Sequence, residues 1–157
     1  MKSLVIGLGN PIMGDDAVGC KATEALLAML GYSTLKDVEV EQFYRGGISL
    51  MERLIGYDRV LIIDSITSPG GTPGTVNLLT LDDVPSIYVT SPHDGSLKNA
   101  FDFARSIGEK LPDQVDILAV EIESRFEFSE ELSPPVNASI PKVLQMALEW
   151  IQEKEFS

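Results

Sequence analysis

Residues 59–64 read Arg-Val-Leu-Ile-Ile-Asp. A run of four large apolar residues with no polar alternation is the mark of a strand covered on both faces, and such strands belong to parallel sheets flanked by helices. The rest of the chain supplies matching pieces. Residues 2–7 form a short apolar run, 38–43 alternate as a strand does, and "TVNLLTL" at 75–81 and "VDILAVEI" at 115–122 are further strands. The loop 68–74, Ser-Pro-Gly-Gly-Thr-Pro-Gly, is short enough to predict a hairpin-like, antiparallel strand after it.

Helical spacing fills the gaps. A helix is predicted from about Asp15, with Val18, Ala22, Ala25, Leu26 and Met29 on one face and Gly31 closing it. A short helix is expected around Leu50 to Ile55. Another runs from about Asp94 to Ile107, burying Leu97, Phe101, Ala104 and Ile107. The last carries Ile140, Val143, Leu144, Ala147, Leu148 and Ile151, with Pro141 in its first turn and Ser139 as cap, and with any helical piece near Pro134-Pro135 separate or kinked. Strands alternating with helices predict one α/β domain over 1–157, a three-layer sandwich.

Charge narrows the partners. The chain has 157 residues and a net charge of −12, from 24 acids against 12 bases. Nucleic-acid binding needs clustered Lys and Arg to neutralise phosphates, so nucleic acid is excluded as the main partner. A single cysteine forms no internal disulfide, which points to a reducing, cytoplasmic setting. The apolar runs fall short of the roughly 20 residues a membrane helix needs, and no membrane partner is expected. Gly7, Gly9 and Asn10 interrupt the N-terminal apolar run too early for a signal peptide.

The turn after the first strand reads "GLGNPIMGDDAVG" over 7–19. A dinucleotide fingerprint would place a third glycine at position 12, where Ile12 stands, and Asp15 and Asp16 would repel a pyrophosphate at the helix start. Acids there are favoured by the helix dipole and cap free N–H groups; Asp15 is assigned that role. Asp16 is the candidate ligand. It follows the carboxyl end of the first strand, and Asp64 ends the central one. Ligands of open parallel sheets bind outside those strand ends. The only histidine, His93, precedes a predicted helix whose dipole favours the neutral ring. Two carboxylates and an imidazole suit a borderline divalent ion such as nickel or zinc, with coordination positions left open as at catalytic sites. Cys20, four residues after Asp16, is read as a small buried hydrophobe.

These segments together resemble the hydrogenase maturation endopeptidases. Gly7, Gly9, Asn10, Asp15, Asp16 and Gly19 fall into that family's N-terminal motif. "IIDSITSPGGTPGTV" is similar to its strand-ending Asp and Pro-Gly-Thr-Val turn, "SPHD" to its histidine segment, and "VEIESRFEFSEELSPPV" to its stretch before the last helix. The resemblance runs essentially end to end.

It implies a twisted five-stranded, mostly parallel sheet with one antiparallel strand, and helices on both faces. It implies a protease, grouped with aspartic-type endopeptidases, that removes a C-terminal extension from the precursor of a nickel–iron hydrogenase large subunit. Nickel is supplied by the substrate, with no organic cofactor. Carried over by motif, Asp16, Asp64 and His93 are the catalytic and metal-sensing residues, with Gly7, Gly9, Asn10, Asp15 and Arg45 in support. Arg45, in "YRGG" after the second strand, is a departure, since family members commonly show an acid before the glycines there. Two readings stand for it: contact with an acidic precursor segment, or a solvated turn.

Two other classes compete. "GLGNP" also resembles the opening of bacterial peptidyl-tRNA hydrolases, but that family needs a histidine soon after the motif, and the charge suits tRNA badly. A nickel-checkpoint or carrier protein that binds the large subunit without cutting it is the non-enzymatic alternative.

Overall fold

The buried strand run sits at the centre of a five-stranded sheet. The computed structural model describes residues 1–31, 37–44, 47–83, 97–123 and 128–153. In chain order the elements are β1 (Ser3–Leu8), α1 (Val18–Leu30), β2 (Val38–Phe43), α2 (Gly47–Leu54), β3 (Arg59–Ile66), β4 (Val76–Thr80), α3 (Leu97–Ser106), β5 (Gln114–Glu121) and α4 (Pro134–Glu153). The strand order is β2-β1-β3-β5-β4, with every pairing parallel except β4 against β5.

Side-chain alternation along the strands builds two cores. Leu4, Ile6, Val60, Ile62, Ile117 and Ala119 point to one face and pack under α2 and α3, through Leu50, Leu54 and Phe101. Val5, Leu61, Ile63, Leu118 and Val120 point to the other, under Val18, Ala22 and Leu26 of α1 and Val136, Val143, Ala147 and Trp150 of α4. The predicted three-layer sandwich, mostly parallel with one antiparallel strand, is the architecture observed.

Three details differ from the sequence reading. β4 is antiparallel, but β5 is inserted between it and β3, so the two do not form a hairpin. The reason is burial: β3 is covered along nearly its whole length and takes a long central partner on each side, whereas β4 is largely exposed and suits an edge. Met29 and Ile107 leave their predicted faces at 59% and 60% exposure. Ile107 lies past the end of α3, and α1 buries Val18, Gly19, Ala22, Thr23 and Leu26 instead. The predicted start of α3 near Asp94 lies outside the described residues. Finally, α4 is one helix from Pro134 onward, with Pro141 in its interior. Ser139 is buried within it and donates its hydroxyl to the Val136 carbonyl at 2.6 Å, so it caps nothing. Pro134 occupies the first helical position, where a missing N–H costs nothing.

Candidate functional site

Connections diverge at β1. Its carboxyl end leads through α1 on one face to β2, while α2 returns over the opposite face to β3. The crevice between the carboxyl ends of β1 and β3 is therefore the switch point where open sheets bind ligands. Asp16 and Asp64 are delivered to it from those two strands.

The glycines explain how Asp16 gets there. A Cβ on Gly7 would lie 2.2 Å from the Gly19 carbonyl oxygen, and one on Gly19 would lie 2.3 Å from the carbonyl oxygens of Ile63 and Leu8. Helix α1 thus starts in backbone contact with β1 and β3. Gly9, at φ +145°, passes so close to Asp16 that a Cβ would sit 2.0 Å from its carbonyl oxygen. The pattern packs a helix onto a sheet and folds the turn over the first acid.

The turn itself is held by Asn10. Its side-chain oxygen accepts the Ile12 N–H at 3.2 Å, its carbonyl accepts the Met13 N–H at 3.1 Å, and its own N–H donates to Asp16 Oδ2 at 2.9 Å. The other Asp16 oxygen, Oδ1, accepts the Ser65 hydroxyl at 3.3 Å. Asp64 is 2% exposed, and its Oδ1 accepts the Ser65 backbone N–H at 2.8 Å. Ser65 therefore touches both acids. A carboxylate pair tied through one serine at a strand-end crevice can ligate a cation or accept a proton.

Asp15 works differently from expectation. Helix α1 has no side-chain cap. The Asp15 carboxylate instead accepts the N–H and the hydroxyl of Ser133, each at 2.7 Å, just before α4 begins. It joins the first loop to the start of the last helix. That join is extended by a bridge between Met13 and Ser129, in which Gly14 N–H donates to Ser129 carbonyl and Ser129 N–H to Ile12 carbonyl.

Cys20 is buried, with its sulfur 3.4 Å from the Gly9 carbonyl oxygen. Burial first, then the charges of Asp16 and Asp64, push its thiol up to about 11. His93 and Arg45 lie outside the described residues. Among the described residues no group of three or more His, Cys, Asp or Glu is placed to hold a metal ion, so the described part of the crevice offers its two acids.

Sequence reasoning passed over two residues. Ser65 carries no spacing signal, since a serine after a strand-end aspartate is ordinary. Glu121 did carry one. It ends the apolar run of β5 just as Asp64 ends that of β3, yet it is 6% exposed and spends its carboxylate on Ser68.

No helix among the described residues is long and apolar enough to cross a membrane. Comparison with known proteins finds the same fold. The chain is 31% identical to the hydrogenase 2 maturation protease of Escherichia coli K12, over 98% of its own length and 92% of that protein. It is 26% identical to the hydrogenase expression/formation protein HupD of Thiocapsa roseopersicina, spanning 96% of itself and 67% of the relative. Among solved structures, the hydrogenase maturating endopeptidase HybD from E. coli superposes with a TM-score of 0.83 at 30% identity, covering 98% of this chain and 94% of that one. The family model HycI, hydrogenase maturation protease, matches residues 45–150. With that match across most of the chain and a relative so similar over nearly its full length, the protein belongs to the hydrogenase maturation protease family.

Proposed function

We propose that this protein removes the C-terminal extension from the nickel-loaded precursor of a nickel–iron hydrogenase large subunit, in the cytoplasm, and that nickel arrives bound to the substrate. Asp16 and Asp64 recognise the ion, and His93 is assigned as the third ligand by motif. The observation that supports this best is Ser65, which contacts both carboxylates at the crevice between β1 and β3 in a chain of this protease family. Bringing the half-buried Asp16, on the turn after β1, to the crevice of the buried Asp64 costs desolvation and like-charge repulsion, and a cation delivered by the substrate relieves both.

Docking of the ion orients the scissile bond, converting recognition into proximity. The ion would polarise the carbonyl while a carboxylate oxygen left off the metal takes the proton from the attacking water and passes it to the departing nitrogen as the C–N bond breaks. That last role is what an aspartic-type classification would require.

The test uses purified precursor with and without nickel, read as loss of mass at its C-terminus. Nickel-loaded precursor is cut and nickel-free precursor is not; Asp16→Asn, Asp64→Asn and His93→Ala each lower kcat/KM by a hundredfold or more, on the order expected for lost metal contacts. Equal cleavage of both precursors would remove nickel from the account, and full activity in the variants would remove the site. An uncut precursor in a stable complex would make the protein a binding module.

A further inference from the structure

Glu121 ends β5 directly opposite Ile66 of β3, and Asp64 lies opposite Ala119. Asp64 and Glu121 are thus on neighbouring strands and on the same face, two residues out of step. Strand spacing and rise put their Cα atoms roughly 8 Å apart. The Glu121 carboxylate is buried beneath the loop that follows Asp64: Oε1 accepts the Ser68 N–H at 2.5 Å and Oε2 accepts the Ser68 hydroxyl at 3.1 Å.

The backbone of the same residue holds the far end of that loop. Glu121 N–H donates to the Thr75 carbonyl and Glu121 carbonyl accepts the Gly74 N–H, both at 2.8 Å. A Cβ on Gly71 would lie 2.0 Å from Glu121 Oε1, so a side chain there would displace the carboxylate. Between these anchors, Pro69, Gly70, Gly71 and Thr72 are exposed. A buried carboxylate is an expensive way to fasten a surface turn. Its use here fits a turn whose position matters.

We infer that Glu121 is a positioning residue: it clamps Ser68–Thr75 as a fixed rim beside Asp64, against which the peptide segment of the precursor lies. This deepens the proposed function and rests on it. Glu121 acts through Ser68, so its loss should weaken substrate capture more than chemistry.

The variants are Glu121→Ala, Glu121→Gln and Ser68→Ala, measured with nickel-loaded precursor for KM, kcat and the dissociation constant of the complex, and by amide exchange across 67–75. Glu121→Ala should raise KM and the dissociation constant about tenfold with kcat within about threefold, and should speed exchange in the loop. Glu121→Gln keeps an acceptor for the Ser68 N–H and should restore both constants to within about threefold of wild type. If Glu121→Ala does not fold, Ser68→Ala, which loses one hydroxyl bond, carries the test with an expected rise of about threefold. An unchanged KM in folded Glu121→Ala, or in Ser68→Ala where Glu121→Ala does not fold, or equal loss of kcat in Ala and Gln, would overturn the assignment. Should wild-type protein leave the precursor uncut, cleavage as the function falls. The dissociation constant then decides Glu121 alone: tenfold weakening supports it, and an unchanged value overturns it.

Discussion

The Cys20 thiol faces the Gly7 and Gly9 carbonyl oxygens at 3.8 and 3.4 Å, close behind the two acids. A nucleophile there would need its pKa lowered, yet burial and the neighbouring carboxylates raise it to about 11. The thiolate is thus disfavoured in the folded protein throughout the neutral range. The sign for stability follows. The unfolded thiol ionises first as pH rises, so this contribution is whole below its ordinary value near 9 and is lost as pH climbs toward 11. Cys20→Ala should therefore cleave precursor within about threefold of wild type, and iodoacetamide should label folded protein at pH 8 far more slowly than denatured protein, as read by mass spectrometry. Abolished cleavage in a folded Cys20→Ala would reverse that judgement. At this scale the sequence is legible where chemistry is periodic or terminal: Asp64 closes the apolar run of β3, and Asp16 sits in the turn that leads from β1 into α1. It is opaque for Asp15, whose partner, Ser133, is 118 positions away.

Among the elements, α4 shows what propensity alone misreads. A proline reads as a boundary, since it removes an N–H and crowds the carbonyl four residues back. Here Ser133 caps the start with its carbonyl accepting the Asn137 N–H at 2.8 Å, Asp15 steadies Ser133, and Val136 and Val143 are buried on either side of Pro141. Tertiary packing carries the helix through. Pro141 is exposed, so nothing in the fold needs its ring. Pro141→Ala should raise stability by about 1–3 kcal/mol, seen as a higher urea midpoint with an unchanged slope. A lower midpoint would mean that the proline fits a local bend the helix requires. The order of β4 and β5 was hidden for a related reason. A short loop suggests adjacency, but which strand pairs with which is settled by burial across the whole sheet, and β4 is too exposed to lie inside it. The five strands and the two-faced sandwich were readable because each apolar run declares its own burial.

Across the whole molecule, the two ends of the strands serve different purposes. At the carboxyl ends sit Asp16, Asp64 and Glu121. At the amino ends of β3 and β5, Arg59 stacks on Trp150 with its guanidinium carbon 3.9 Å from the ring and donates to the Trp150 carbonyl at 2.9 Å. The Trp150 indole N–H donates to Asp116 at 2.8 Å, and Gln114 adds a second bond to the same oxygen at 2.7 Å. This network fastens α4 to the sheet, and burial lowers the Arg59 pKa while Glu153 and Asp116 oppose that shift. Acids proposed to meet a substrate-borne ion, and a network that holds α4 to the sheet, answer to different tests. Arg59→Ala should lower Tm by roughly 5–12 °C, as expected for a loss of about 2–4 kcal/mol in a domain of this size, while folded protein keeps its KM for precursor. Asp16→Asn should do the opposite, abolishing cleavage with Tm shifted by less than about 3 °C, because an amide can still accept the Asn10 N–H. Trp150 is the only tryptophan, so its fluorescence follows the cohesive end directly. A fall in substrate affinity from Arg59→Ala at temperatures where that signal stays native would show that the two ends are coupled through β3, and the division of labour would fail.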